Sequence, residues 1–207
     1  MYVKICGLRE PEHAELSVRS GADAVGVVMS EGTSRHASDA EAGAVVAAAR
    51  AAGTAERRRI DTVLVVNRMS AADAATRARE LGFDVVQLHG HYTLADIAAA
   101  AEILPRVWRA ASLAHFPELR AGEFGEERLL VDGAVPGSGE TWDLSRLDPA
   151  RLGTDWLLAG GLSPTNVAAA IRIARPGGVD VSSGVEVAPG RKDPELIRQF
   201  IAAARQA

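Results

Sequence analysis

Asp61-Thr62-Val63-Leu64-Val65-Val66 decides the fold. Its last four residues form an unbroken apolar run rich in β-branched side chains. A strand with one face in water alternates apolar and polar residues. An unbroken run marks a strand buried on both faces, as in a parallel sheet covered by helices. Outward from this run, similar stretches recur at Tyr2–Cys6, Asp23–Met29, Asp84–Leu88, Arg106–Ala110, Arg128–Val131, Asp155–Ala159 and Gly178–Val181. Ala-rich segments with helical patterning separate them. Ser38 with Glu41 forms a capping box, and Ser70 with Asp73 a weaker one. Ser163-Pro164 and Asp193-Pro194 each set a capping residue before a proline that suits the first helical position. Leu196, Ile197, Phe200, Ile201 and Ala204 make one apolar stripe, which predicts a final helix packed on the core.

Eight strands alternating with helices leave an open doubly wound sheet or a closed barrel. The strand number, the even spacing and the lack of a linker predict a single-domain α/β (β/α)8 TIM barrel over residues 1–207. The segments after the fifth and sixth strands are short for helices, as expected near the lower size limit of this barrel.

Composition narrows the function. Lys plus Arg number 23 against 27 Asp plus Glu, which gives no electrostatic case for nucleic acid or an acidic membrane surface. A single cysteine permits no internal disulfide and fits a reducing compartment. No basic-then-apolar leader precedes Tyr2, and no stretch is apolar enough to span a bilayer. These features predict a cytoplasmic protein with no membrane partner.

In such a barrel the chemistry sits at the C-terminal ends of the strands. That rule selects Cys6 after strand one, Arg35 after strand two, and Gln87 and His89 at strand four. It adds Asp132 at strand six, Gly160-Gly161 after strand seven, and Asp180, Ser182, Ser183 and Gly184 at strand eight. Glycines let a ligand approach backbone N–H groups, and Ser182-Ser183-Gly184 suits the start of a short helix that would aim donors at a phosphate. Gly137-Ser138-Gly139 reads equally as a mobile cover or a plain loop. Cys6 is either a proton acceptor or a small buried hydrophobe. Asp132 is either a proton donor, if burial raises its pKa, or a turn residue before Gly133. His89-Gly90-His91 lacks the further ligands that a metal needs, so no metal is expected. No nucleotide-binding glycine loop and no serine nucleophile elbow occurs, so no cofactor is expected.

Lys4-Ile5-Cys6-Gly7-Leu8, Val86-Gln87-Leu88-His89-Gly90, Leu158-Ala159-Gly160-Gly161-Leu162 with Pro164 and Asn166-Val167, and Val179-Asp180-Val181-Ser182-Ser183-Gly184-Val185-Glu186 resemble the phosphoribosylanthranilate isomerase family of tryptophan biosynthesis. Pro189-Gly190, Lys192-Asp193, Gly21-Ala22-Asp23 and Asn67 extend the resemblance over essentially the whole chain. It implies a (β/α)8 barrel without metal or organic cofactor, acting on a small phosphorylated sugar–anthranilate substrate by an Amadori rearrangement. Asp132 then resembles the general acid at the furanose ring oxygen, and Cys6 the general base at C2. Arg35 resembles the partner of the anthranilate carboxylate, where a guanidinium fork fits. His89 and Asp180 match sugar-pocket positions. Gly160, Gly161, Ser183 and Gly184 match the phosphate grip.

The chain departs from the family pattern in three places. Thr33-Ser34-Arg35 replaces Ser-Pro-Arg, which predicts a less rigid loop. His91 stands where an acidic or amide residue is common. The sixth loop reads Pro136-Gly137-Ser138-Gly139-Glu140-Thr141-Trp142-Asp143-Leu144 in place of Gly-Gly-Thr-Gly followed by Phe-Asp-Trp. Two alternatives stay open. One is the sister isomerisation of a phosphoribosyl carboxamide in histidine synthesis, alone or as a second activity. Cys6 and the missing two-half repeat count against it. The other is a non-catalytic phosphate-ligand binder, against which the Cys6 and Asp132 pair counts. The oligomeric state, monomer or homodimer, is not legible.

Overall fold

The structure is a computed structural model that describes residues 1–133, 143–144 and 147–207. Eight strands pair in parallel in chain order: β1 (Tyr2–Ile5), β2 (Ala24–Val28), β3 (Asp61–Val66), β4 (Val85–His89), β5 (Val107–Ser112), β6 (Arg128–Asp132), β7 (Trp156–Leu158) and β8 (Gly178–Val181). The ring closes where β8 pairs with β1, with Tyr2 opposite Gly178 and Ile5 opposite Val181. The expected barrel is therefore formed.

The unbroken run in β3 divides by the two-residue period of a strand. Val63 and Val65 join the barrel interior with Ala24, Val85, Trp108, Leu130 and Leu157. Leu64 and Val66 join the layer between sheet and helices. Both faces of the run from Val63 to Val66 are buried, and the run itself carries no polar residue.

Outside the sheet lie α1 (Pro11–Arg19), α2 (Asp39–Ala55), α3 (Ala71–Glu80), α4 (Leu94–Ile103), α5 (Pro149–Leu152), α6 (Val167–Ala174) and α7 (Pro194–Gln206). Ser38 and Glu41 complete their capping box at α2, and the Ser70 side chain accepts from the Asp73 N–H at α3. Thr93 and Asp96 form a further capping box at α4. Asp193 accepts from the Glu195 and Leu196 N–H groups ahead of α7. Ile197, Phe200, Ile201 and Ala204 of the α7 stripe are buried, with Leu196 packed at its edge.

Ser163-Pro164 behaves differently from expectation. The helix starts at Val167, and the Asn166 side chain accepts from the Ser163 N–H at 2.8 Å while donating to the Gly161 carbonyl at 2.8 Å. Those two bonds hold residues 163–166 as a separate turn.

Turns replace a helix between β5 and β6, where Pro117, Gly122 and Gly125 interrupt any helical run. The segment is pinned instead by a buried pair, Arg109 Nε to Glu126 Oε1 at 3.1 Å, with the Arg109 guanidinium 4.0 Å from the Phe124 ring centroid. After β8 the chain makes a 3-10 turn at Ser183–Val185, then a hairpin of β9 (Glu186–Ala188) and β10 (Arg191–Lys192) that sequence patterning did not anticipate.

The N-terminal end of the barrel is closed by polar and aromatic groups. Arg106 bridges Asp61 and Glu127, Tyr2 donates to Asp61 at 2.7 Å, and Arg128 stacks over Tyr2 and Trp108. Among the described residues the opposite end stays open. No helix among the described residues is long and apolar enough to cross a membrane.

Candidate active site

A cavity of about 620 Å³ opens at the C-terminal ends of the strands. Cys6, Arg35, His89, Asp132, Asp180 and Ser182 all line it. Gly160, Gly161, Ser183 and Gly184 sit on the adjoining loops after β7 and β8, outside that lining.

Cys6 follows β1 directly, and its N–H donates to the Val181 carbonyl at 2.8 Å, which ties it to β8. Gly7 turns the chain at φ 73°. A Cβ there would press on Ser182 Oγ at 2.9 Å, Arg35 Cδ at 3.0 Å and Lys192 Nζ at 3.3 Å, so the glycine is needed for space as well as for backbone angle. Burial pushes the Cys6 thiol up, while Lys4 pulls it down; Asp180 adds to the rise and Lys192 opposes it. Lys4 is fully buried and its ammonium meets Asp180 Oδ1 at 2.8 Å. In the sequence Lys4 stands out only as part of the Lys4-Ile5-Cys6-Gly7-Leu8 motif. The available signal was the strand period, which places Lys4 on the same inward face as Cys6.

Asp132 ends β6 and is 7% exposed. Its Oδ1 accepts the Gly133 N–H at 2.7 Å, and His89 Nε2 lies 3.6 Å from its Oδ2, beyond hydrogen-bond reach. Burial pushes Asp132 above the usual carboxylate range, against the pull of His89 and the Gly133 N–H. Burial pushes His89 down, against the pull of Asp132 and Asp180, which favours its neutral imidazole. Among the described residues neither His89 Nε2 nor Gln87 Oε1, both buried, has a hydrogen-bond partner. They lie two residues apart on β4 and both residues line the cavity. Polar atoms in a cavity wall can pair with a polar ligand or with water. In the sequence Gln87 is marked only by its place at the strand end, with no role attached.

Arg35 reaches the cavity already engaged. Its Nε and Nη2 donate to Glu186 at 2.8 Å and 2.9 Å, and Lys192 Nζ donates to the same carboxylate at 2.7 Å. Burial pushes Glu186 up, but these cations outweigh it and keep the carboxylate ionised. Glu186 and Lys192 belong to the hairpin, so β9 and β10 hold the arginine in place. Thr33-Ser34 is anchored too. Thr33 Oγ1 donates to the Ser30 carbonyl at 3.1 Å, and a Cβ at Gly190 would collide with the Ser34 carbonyl. The loop without the expected proline is thus tied to Ser30 and packs against Gly190 of the hairpin turn.

Gly160 and Gly161 adopt φ 84° and 65°, a region open to glycine at no steric penalty. Gly184 packs against the Leu162 carbonyl, leaving no room for a Cβ. The loops after β7 and β8 are thereby locked together. Gly184→Ala is expected to destabilise by about 1–3 kcal/mol through overpacking. Thermal unfolding of the variant checks this: Tm should fall by roughly 2–4 °C for each kcal/mol in a chain of this size.

His91 packs against His115 and Phe116, with ring centroids 5.7 Å and 5.8 Å away. Among the described residues no group of three or more His, Cys, Asp or Glu is placed to hold a metal ion. Gly137-Ser138-Gly139, read as a mobile cover or a plain loop, and Trp142 lie outside the described residues.

Comparisons with known proteins agree with one another. The family model described as N-(5'phosphoribosyl)anthranilate (PRA) isomerase matches residues 3–203. An N-(5'-phosphoribosyl)anthranilate isomerase from Roseiflexus sp. is 41% identical over 215 residues, covering 99% of this chain and 98% of its own. The crystal structure of a protein named TrpF from Jonesia denitrificans is 46% identical with a TM-score of 0.87, covering 99% of this chain and 97% of that one. A phosphoribosyl anthranilate isomerase solved with reduced 1-(o-carboxyphenylamino)-1-deoxyribulose 5-phosphate is 30% identical with a TM-score of 0.79, and the match covers 100% of both chains.

Proposed function

The chain belongs to the N-(5'-phosphoribosyl)anthranilate isomerase family, and we infer that it performs that isomerisation with Cys6 and Asp132 as its proton-transfer groups. The reaction is the isomerase step of tryptophan biosynthesis. It converts N-(5-phosphoribosyl)anthranilate to 1-(2-carboxyphenylamino)-1-deoxyribulose 5-phosphate.

Asp132, as a neutral carboxylic acid, protonates the furanose ring oxygen. The bond from that oxygen to C1 breaks, and the anthranilate nitrogen lone pair forms the C1=N bond of a Schiff base. Cys6, as a thiolate, removes the C2 proton. The C–H electrons become the C1=C2 bond, and those of the iminium return to nitrogen, giving an enolamine. Tautomerisation places a proton on C1 and leaves the ketone at C2. The observation that carries this assignment is the presence of Cys6 and Asp132 in one cavity, with burial favouring the protonated Asp132 that an acid role needs.

The remaining groups take positioning roles. Glu186 occupies Nε and Nη2 of Arg35, which leaves the Nη1 side of the guanidinium for the anthranilate carboxylate. His89 and Asp180 meet the sugar. Ser182, Ser183 and Gly184 with Gly160 and Gly161 receive the phosphate, favoured by the loop position at strands seven and eight. A cytoplasmic address goes with this chemistry, since a lone thiol base is best kept reduced.

Genetic complementation tests the assignment. A tryptophan auxotroph lacking this isomerase should grow without tryptophan when it expresses this chain. Absence of growth with folded, soluble protein would overturn it.

A further inference from the structure

We propose that Lys4 is the charge partner of Cys6: its ammonium, fixed deep in the barrel by Asp180, stabilises the Cys6 thiolate and so sets how much of the base is active. The proposal rests on Cys6 acting as the base.

Three observations support it. Lys4 is fully buried, and one of its three ammonium hydrogens goes to Asp180 at 2.8 Å. Buried ion pairs add little stability over well-packed apolar residues, so a fold requirement alone does not account for a charge there. Second, Lys4 and Cys6 both lean into the space left by Gly26 on the neighbouring strand. A Cβ at Gly26 would lie 3.0 Å from Cys6 Sγ and 3.2 Å from Lys4 Nζ, which puts thiol and ammonium within about 6 Å of each other. Third, among the described residues the other cations facing Cys6, Arg35 and Lys192, share one carboxylate, Glu186, which offsets their pull on the thiol. Asp180 faces Cys6 from β8, and His89 and Asp132 lie with it around the cavity.

The arrangement answers a chemical need. Turnover requires the protonated acid and the thiolate together. An ordinary carboxyl titrates near 4 and an ordinary thiol near 8.5, so that combination is a minor species of the free protein. Any group that favours the thiolate raises the active fraction in proportion. With this order of titration, the alkaline limb of kcat/KM belongs to Cys6 and the acid limb to Asp132.

The test uses the single cysteine as its own reporter. The pH at which iodoacetamide alkylation reaches half its plateau rate is measured for the wild type and for Lys4→Met. The expected midpoint is higher in Lys4→Met by about one unit, with kcat/KM near neutrality about tenfold lower and its alkaline limb displaced upward. Should Lys4→Met fail to fold because Asp180 loses its partner, Asp180→Asn is compared with Asp180→Asn/Lys4→Met, and the double variant should again have the higher midpoint. Equal midpoints in folded proteins would overturn the proposal and leave Lys4 a structural residue. The alkylation readout needs no substrate. A shifted midpoint in a protein without isomerase activity would therefore sink the assigned reaction and spare the thiolate pairing.

Discussion

Asp132→Asn is expected to lower kcat by about a thousandfold while KM stays within a few fold, since general acid catalysis contributes roughly 10²–10⁴. The amide matches the carboxylate in shape, and its oxygen can keep the Gly133 N–H bond now made at 2.7 Å. Asparagine cannot deliver a proton to the ring oxygen at neutral pH. Burial already favours the uncharged form of Asp132, so a neutral amide fits the site without a desolvation penalty. Tm should therefore hold or rise slightly. Steady-state kinetics beside thermal unfolding separates the two effects. A loss confined to KM, or a collapse of Tm, would show that Asp132 holds substrate or structure and does not donate the proton.

Cys6→Ser carries the second large effect. Serine is nearly isosteric, so the bond from residue 6 to Val181 and the packing over Gly26 survive. The hydroxyl is several pH units more basic than the thiol, and Lys4 cannot make up that difference. A fall in kcat/KM of about 10³ or more is expected, with product still formed slowly. Loss of the alkaline limb should accompany it, because that limb is assigned to the thiol. Full activity in Cys6→Ser would remove Cys6 from the mechanism.

Local signals carried the fold. Val63-Leu64-Val65-Val66 announced a strand buried on both faces, and Ser38 with Glu41 marked a helix start, because both depend on neighbours in sequence. The working face followed from the strand ends, which is why Cys6, Asp132, His89 and Asp180 were legible as candidates. What stayed hidden depends on distant partners. Arg35 and Glu186 are 151 residues apart, and nothing in either local pattern announces their pairing. Lys4 was visible, but a lysine in a strand reads as a polar edge until closure of the barrel encloses it. The β9–β10 hairpin is too short for a periodic signal. Ser163 carried a genuine capping pattern, and Asn166 took over the local hydrogen bonds.

Direct turnover by the purified protein tests the central claim. Phosphoribosylanthranilate is generated in place from anthranilate, phosphoribosyl pyrophosphate and a transferase, and its fluorescence is followed against a control without this protein. The account predicts accelerated loss of fluorescence, with the deoxyribulose product confirmed by mass and the acceleration abolished in Asp132→Asn. Folded protein that leaves the spontaneous decay unchanged, or that turns over only a phosphoribosyl carboxamide, would contradict it.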